Sequence, residues 1–168
     1  MAEQPQGPAY RAGFAALVGR PNAGKSTLTN ALVGTKVAIT SSKPQTTRHT
    51  IRGISTSADS QLVLVDTPGL HRPRTLLGER LNDLVRETLL DVDVVGFCLP
   101  ADQRVGPGDQ FIAAELAELR RTKRTPVVAI ATKIDLVPRE RLLAHLVAVD
   151  QLGDWAAVVP CSATSGAQ

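Results

Sequence analysis

Aromatic residues make up only 3% of this chain. A core must therefore rest on Val, Leu, Ile and Ala, which suits buried parallel strands better than an aromatic-rich β-sandwich. No apolar run reaches the ~18 residues of a membrane span. Cysteine is scarce as well: Cys98 and Cys161 are far apart and form no CxxC pair. That excludes a disulfide framework and predicts two reduced thiols. The net charge of +3 suits an anionic ligand but is too small to argue for nucleic-acid binding. The opening "MAEQPQGPAYRAG" lacks an apolar signal core. It reads as a flexible leader over residues 1–12, and a cytoplasmic location is expected. With 168 residues in all, one domain over 13–168 is predicted.

What the chain does have is alternation. Apolar strand-like runs fall at 13–19, 61–66, 93–99, 125–132 and 156–163, and "TIRGIST" alternates like a half-exposed strand. Between them lie helix-like stretches. Residues 25–34 carry Leu28, Ala31 and Leu32 at helical spacing before a glycine. Residues 75–91 carry Leu77, Leu81, Leu84, Val85 and Leu89 on one face. Residues 108–121 carry Ile112, Leu116 and Leu119. Pro138 opens a fourth helix with Leu142, Leu143, Leu146 and Val147. The polar stretch 36–50 has no period and predicts a long functional loop. This order predicts an α/β fold with a mostly parallel six-stranded sheet and helices on both faces. A covering helix is expected after the last strand, so the C-terminal helix reads as truncated. Ligands of such sheets bind beyond the carboxyl ends of the strands, and every unusual loop here follows a strand.

"GRPNAGKST" contains G-x-x-x-x-G-K-[ST] after a strand and before a helix, the context that makes it a phosphate-binding loop. Glycines at Gly19 and Gly24 let the loop through Arg20, Pro21, Asn22 and Ala23 curl its backbone N–H groups around a phosphate. Lys25 reaches the β- and γ-phosphates, the Ser26 hydroxyl binds Mg²⁺, and Thr27 follows on the helix. A tight strand-to-helix turn would be the bland alternative. In "VDTPGLH", Asp66 ends an apolar strand, where a carboxylate needs compensation such as a water-bridged Mg²⁺. The Gly69 N–H is a candidate γ-phosphate donor. Leu70 follows where many such loops place a water-orienting glutamine. In "ATKID", Asp135 is the candidate for guanine N1–H and N2–H, an edge adenine lacks. The Lys133 stem can lie along the base. "CSA" at 161–163 is a weaker candidate for a backbone donor to guanine O6, through Ser162 or Ala163.

Taken in order, "GRPNAGKSTLTNALVG", "KPQTTRHTIRGI", "VDTPGLH", "TKID" and "CSA" resemble the translation-factor-type GTPases of the P-loop class, and more closely the Era family. The resemblance spans 19–163. It implies a Ras-like G domain that binds GTP and GDP with Mg²⁺ and hydrolyses GTP slowly while assisting small-subunit ribosome assembly. It also implies contact with rRNA, mainly through a KH domain to which nothing here corresponds. It leaves room for peripheral membrane association, and a monomer is expected. Within "QTTRH", Thr47 is favoured over Thr46 as a ligand of Mg²⁺ beside Ser26 and Asp66. Backbone groups around Thr47 and Gly69 are expected to hold the attacking water, with Lys25 stabilising charge. Asn22 is a candidate to add a K⁺ ion, as in glutamine-lacking GTPases it resembles. Thr132 departs from N-K-x-D and predicts weaker nucleotide affinity with guanine choice kept by Asp135. His71 reads as a solvated loop residue rather than a base. The cations Arg120, Arg121, Lys123 and Arg124 read first as a helix end matched to its dipole. The rivals are an ATP-dependent P-loop kinase or ATPase, and a non-hydrolysing binding module.

Overall fold

A computed structural model describes residues 10–38, 51–73 and 75–167. Six strands form one sheet in the order β2-β3-β1-β4-β5-β6. They are β1 (Arg11–Val18), β2 (Ile51–Thr56), β3 (Ser60–Asp66), β4 (Val94–Pro100), β5 (Val127–Thr132) and β6 (Ala157–Pro160). Only β2 runs antiparallel, at the edge beside β3. The helices are α1 (Lys25–Val33), α2 (Leu76–Leu90), α3 (Pro107–Lys123) and α4 (Arg139–Asp150). Element order and sheet type agree with the sequence reading. β1 starts at Arg11, because its pairing with β3 extends back to Ser60.

Strand side chains alternate between faces, so one strand feeds two cores. Ala16 and Val18 of β1 join Phe97, Val85, Leu89, Ile112, Leu116 and Val149 in the larger one. Leu17 points the other way and meets Leu28 of α1, Ala23 and Cys98. This two-sided burial is why β1 reads as a continuous apolar run.

Three helices differ in facing from their apolar periods. On α1 the buried residues are Lys25, Leu28 and Thr29, while Ala31 and Leu32 are exposed. On α2, Leu81, Val85 and Leu89 are buried as expected, but Leu77 is exposed and Gly78 and Asn82 are buried instead. On α4, His145 and Val149 are buried and Leu143 and Val147 are exposed. A short helix with apolar residues on two faces has no intrinsic preference between them. The neighbouring loops decide the rotation.

Candidate nucleotide-binding site

β1 ends in the phosphate loop, and the backbone there needs its glycines. Gly19 has φ 154° and Gly24 has φ 89°. A Cβ on Gly19 would lie 2.6 Å from the Cys98 carbonyl oxygen, inside contact distance with backbone that cannot move aside. Asn22 is also left-handed, at φ 63°, a conformation asparagine tolerates better than most residues.

Helix α1 begins at Lys25 without a side-chain cap and without an acidic residue in its first turn. The other three helices carry Glu79, Asp109 and Glu140 there. The positive end of α1 thus carries no acidic residue of its own, at the loop whose N–H groups fit a phosphate. Lys25 is only 7% exposed, and its Nζ donates to the carbonyls of Gly19 (3.1 Å) and Arg20 (3.0 Å). Burial lowers its pKa, with Cys98 and Asp66 working in the opposite direction. A buried ammonium held by neutral carbonyls is suited to an anionic partner.

Ser26 Oγ donates to Asp66 Oδ2 at 2.7 Å, joining α1 to the end of β3. Asp66 is fully buried. A hydroxyl and a carboxylate oxygen in contact beside a phosphate loop are the hard donors that Mg²⁺ takes. Among the described residues no group of three or more His, Cys, Asp or Glu is placed to hold a metal. Thr47, Thr46 and the rest of "QTTRH" lie outside the described residues.

The loop after Asp66 is packed against the phosphate loop. Thr67 Oγ1 donates to Leu17 O at 2.7 Å, and Leu70 N donates to Gly19 O at 3.1 Å. Gly69 lies so close to Pro21 that an added Cβ would sit 2.9 Å from its backbone nitrogen. Leu70 is 1% exposed and belongs to the larger core with Val85 and Leu89. The side chain in the glutamine position points inward, so it takes no part in orienting water. His71 turns back on its own loop, its Nδ1 3.2 Å from Gly69 O, and Asn82 Nδ2 donates to His71 O at 2.7 Å.

At the far side of the cleft, Thr132 ends β5 and its Oγ1 donates to Ala23 O at 2.7 Å. The threonine makes one bond to the phosphate loop, as its single hydroxyl allows. Lys133 is left-handed (φ 59°), and its Nζ is 3.4 Å from Asp102 Oδ2. Asp135 is exposed on the 3₁₀ turn Ile134–Leu136. The Ser162 N–H already donates to Ala167 O at 2.7 Å. Of the two candidates in "CSA", Ala163 therefore has the N–H available to a base.

Two features escaped the sequence reading. Arg20 Nε donates to buried Asp109 Oδ1 at 2.7 Å, while Asp109 Oδ2 accepts from Gly106 N at 2.9 Å. The phosphate loop is thereby tied to the start of α3, across 89 residues of sequence. Asp109 stands at N3 of α3, where a carboxylate suits the start of a helix, and only the fold brings Arg20 to it. The second is Asp102, which meets Lys133 and whose backbone carbonyl accepts from Arg141 Nη2 at 2.9 Å. The basic cluster behaves as a helix end. Arg120 binds Asp154, Arg121 pairs with Glu118, and Lys123 donates to the carbonyls of Leu90 and Val92 at the end of α2.

A strand, phosphate loop and helix of this form, closed by loops from β3 and β5, define a P-loop nucleotide-binding domain. The chain belongs to the 50S ribosome-binding GTPase family, whose model matches residues 14–133, and within it to the Era GTPases. It is 64% identical to GTPase Era of Streptomyces coelicolor over 171 residues, covering 99% of this chain and 53% of that protein. An Era variant from Aquifex aeolicus bound to GDP·AlF₄⁻ superposes with a TM-score of 0.84 at 33% identity, over 93% of this chain and 52% of that one. Era in complex with MgGDPNP and nucleotides 1506–1542 of 16S ribosomal RNA gives a TM-score of 0.86 at 32% identity, over 94% and 53%. The chain spans about half the length of the curated relatives it matches.

Proposed function

We propose that this domain binds GTP and GDP with Mg²⁺, hydrolyses GTP, and serves as a switch in assembly of the small ribosomal subunit. The observation that carries the reading is the convergence of buried Lys25, the Ser26–Asp66 pair and the uncapped start of α1 on one loop. Likeness to Era proteins bound to GDP·AlF₄⁻ and to MgGDPNP with 16S rRNA supports both the nucleotide and the ribosomal partner.

Lys25 neutralises phosphate charge, and the N–H groups of the loop orient it. Ser26, Asp66 and Thr47 are the proposed holders of Mg²⁺, which when bound neutralises charge on the phosphates. Asp135 selects guanine, Lys133 covers the base, and Ala163 donates to it. Phosphoryl transfer asks mainly for positioning and charge neutralisation, so the loss of a glutamine at Leu70 is tolerable. Backbone groups at Gly69 and Thr47 position the water, and Asn22 recruits K⁺ to supply a further positive charge. The domain is read as beginning with β1 at Arg11, two residues earlier than the sequence boundary of 13, and as cytoplasmic and monomeric. Among the described residues no helix is long and apolar enough to cross a membrane.

Phosphate release measured with GTP and ATP, each in K⁺ and in Na⁺, tests the proposal. GTP-specific turnover that falls when Na⁺ replaces K⁺ is expected. Turnover with ATP would favour a kinase or ATPase, and tight GTP binding without release would favour a non-hydrolysing module. Equal rates in the two salts would remove the K⁺ assignment alone.

A further inference from the structure

Helix α4 buries an imidazole where its sequence offers leucine. Leu143 and Val147 are 55% and 57% exposed, whereas His145 is 7% exposed. The His145 Nε2 is buried without a hydrogen-bond partner among the described residues. An unpaired buried polar atom costs about 1–3 kcal/mol, a penalty that leucine would not carry. The imidazole is held by a hydrogen bond to the Leu99 backbone, and Nε2 is the polar atom left over beside the lining of a cavity.

His145 lines a cavity of about 650 Å³ between the β4–α3 loop and α4. This lies within the range of small-molecule sites, roughly 300–1,000 Å³. Its walls are small and apolar, from Ala101, Val105, Ala144 and Ala148. Two guanidinium groups, Arg104 and Arg141, also line it. Arg104 is exposed and makes no ion pair or hydrogen bond among the described residues. Arg141 gives one Nη2 donor to Asp102 O and keeps further donors for a ligand. No residue of the phosphate loop contributes to this cavity.

We propose that the cavity between the β4–α3 loop and α4 is a second ligand site, separate from the nucleotide cradle, for a small organic anion with a compact apolar body. The anionic head engages Arg104 and Arg141, whose forked donors match a phosphate or a carboxylate. The apolar body lies against the alanine walls. His145 supplies the polar contact of the lining between them.

The test is an NMR titration of the ¹⁵N-labelled protein, with GDP and Mg²⁺ and again without them. Phenyl phosphate, benzoate, inorganic phosphate and phenol serve as probes. Saturable shifts at Arg104, Val105, Ala144 and Ala148 are expected with phenyl phosphate or benzoate, in both nucleotide states, and not with phenol. Comparison of the two anions identifies the preferred head group. Arg104→Glu, on an exposed loop, should weaken binding by about tenfold or more. Ala144→Trp should fill the space and abolish it. Shifts confined to the phosphate loop, no saturable shifts with either anion, or shifts that persist unchanged in Arg104→Glu would overturn the proposal. Because the titration is run without nucleotide as well, its failure is distinguishable from a failure to bind GDP.

Discussion

Leu70 donates its backbone N–H to Gly19 O at 3.1 Å while its side chain is buried in the main core. One residue thus fastens the loop after β3 to the phosphate loop and anchors it to the helices below. Leu70→Ala should lower stability by about 2–5 kcal/mol, the range for truncating a buried leucine. Leu70→Gln should also destabilise, since it buries an amide among apolar groups. It should not raise GTP turnover, because the position faces away from the cleft. Chemical denaturation and phosphate release measure the two effects, and faster hydrolysis by Leu70→Gln would refute the inward orientation.

Thr132 and Asp135 stand three residues apart with different expected roles. Thr132→Val removes the bond to Ala23 O and leaves a buried carbonyl unpaired, so GDP affinity should fall about tenfold. The preference for guanine over adenine should survive. Asp135→Ala should erase that preference, because no acceptor remains for N1–H and N2–H. Competition of GTP and ATP against a fluorescent nucleotide separates the two outcomes.

The Arg20–Asp109 pair predicts a penalty at a distance. Asp109→Ala strips Arg20 of its buried partner and Gly106 of its acceptor. Arg20 keeps 25% of its side chain exposed and can hydrate, so a loss of about 1–3 kcal/mol is expected, the cost of unpaired buried polar groups. Asp109→Asn, which keeps an acceptor for the helix start, should cost less. Thermal unfolding of the two variants ranks them.

His145 gives stability a pH dependence. Burial lowers its pKa below 6.5, against a backbone hydrogen bond at Leu99 and the charges of Asp109 and Asp102, with Arg141 acting in the same sense as burial. The unfolded chain therefore binds a proton near pH 6.5 that the folded chain resists. Stability is complete above that value and declines as pH falls through it. Urea midpoints at pH 7.5 and 5.5 should differ more for the native sequence than for His145→Leu. An identical difference would contradict the assignment.

The two thiols should be inert while the fold is intact. Burial pushes Cys98 up to about 12 and raises Cys161 as well. Little thiolate exists at neutral pH, and thiolate is the reactive form. Iodoacetamide should label both only after denaturation, and rapid labelling of Cys98 in the native protein would count against its burial.

Much of the fold and site was legible in the chain because it is local information. The phosphate loop needs glycines at Gly19 and Gly24 and a lysine and serine directly after the second, and such spacing survives any tertiary arrangement. The alternation of strands and helices is equally local, which is why the order of elements and the parallel sheet agree with the sequence reading. Asp66, Thr132 and Asp135 could be picked out because each closes or follows an apolar run.

Facing and partnership were decided only by the folded structure. Leucine at position 70 reads as a missing glutamine until the core claims its side chain. Nothing near Arg20 points to Asp109, and a run of leucines on α4 cannot reveal that the helix turns His145 inward. The physical reason is common to all three. Periodicity states which residues share a face, but the sum of long-range contacts selects which face is buried and which distant charge meets another.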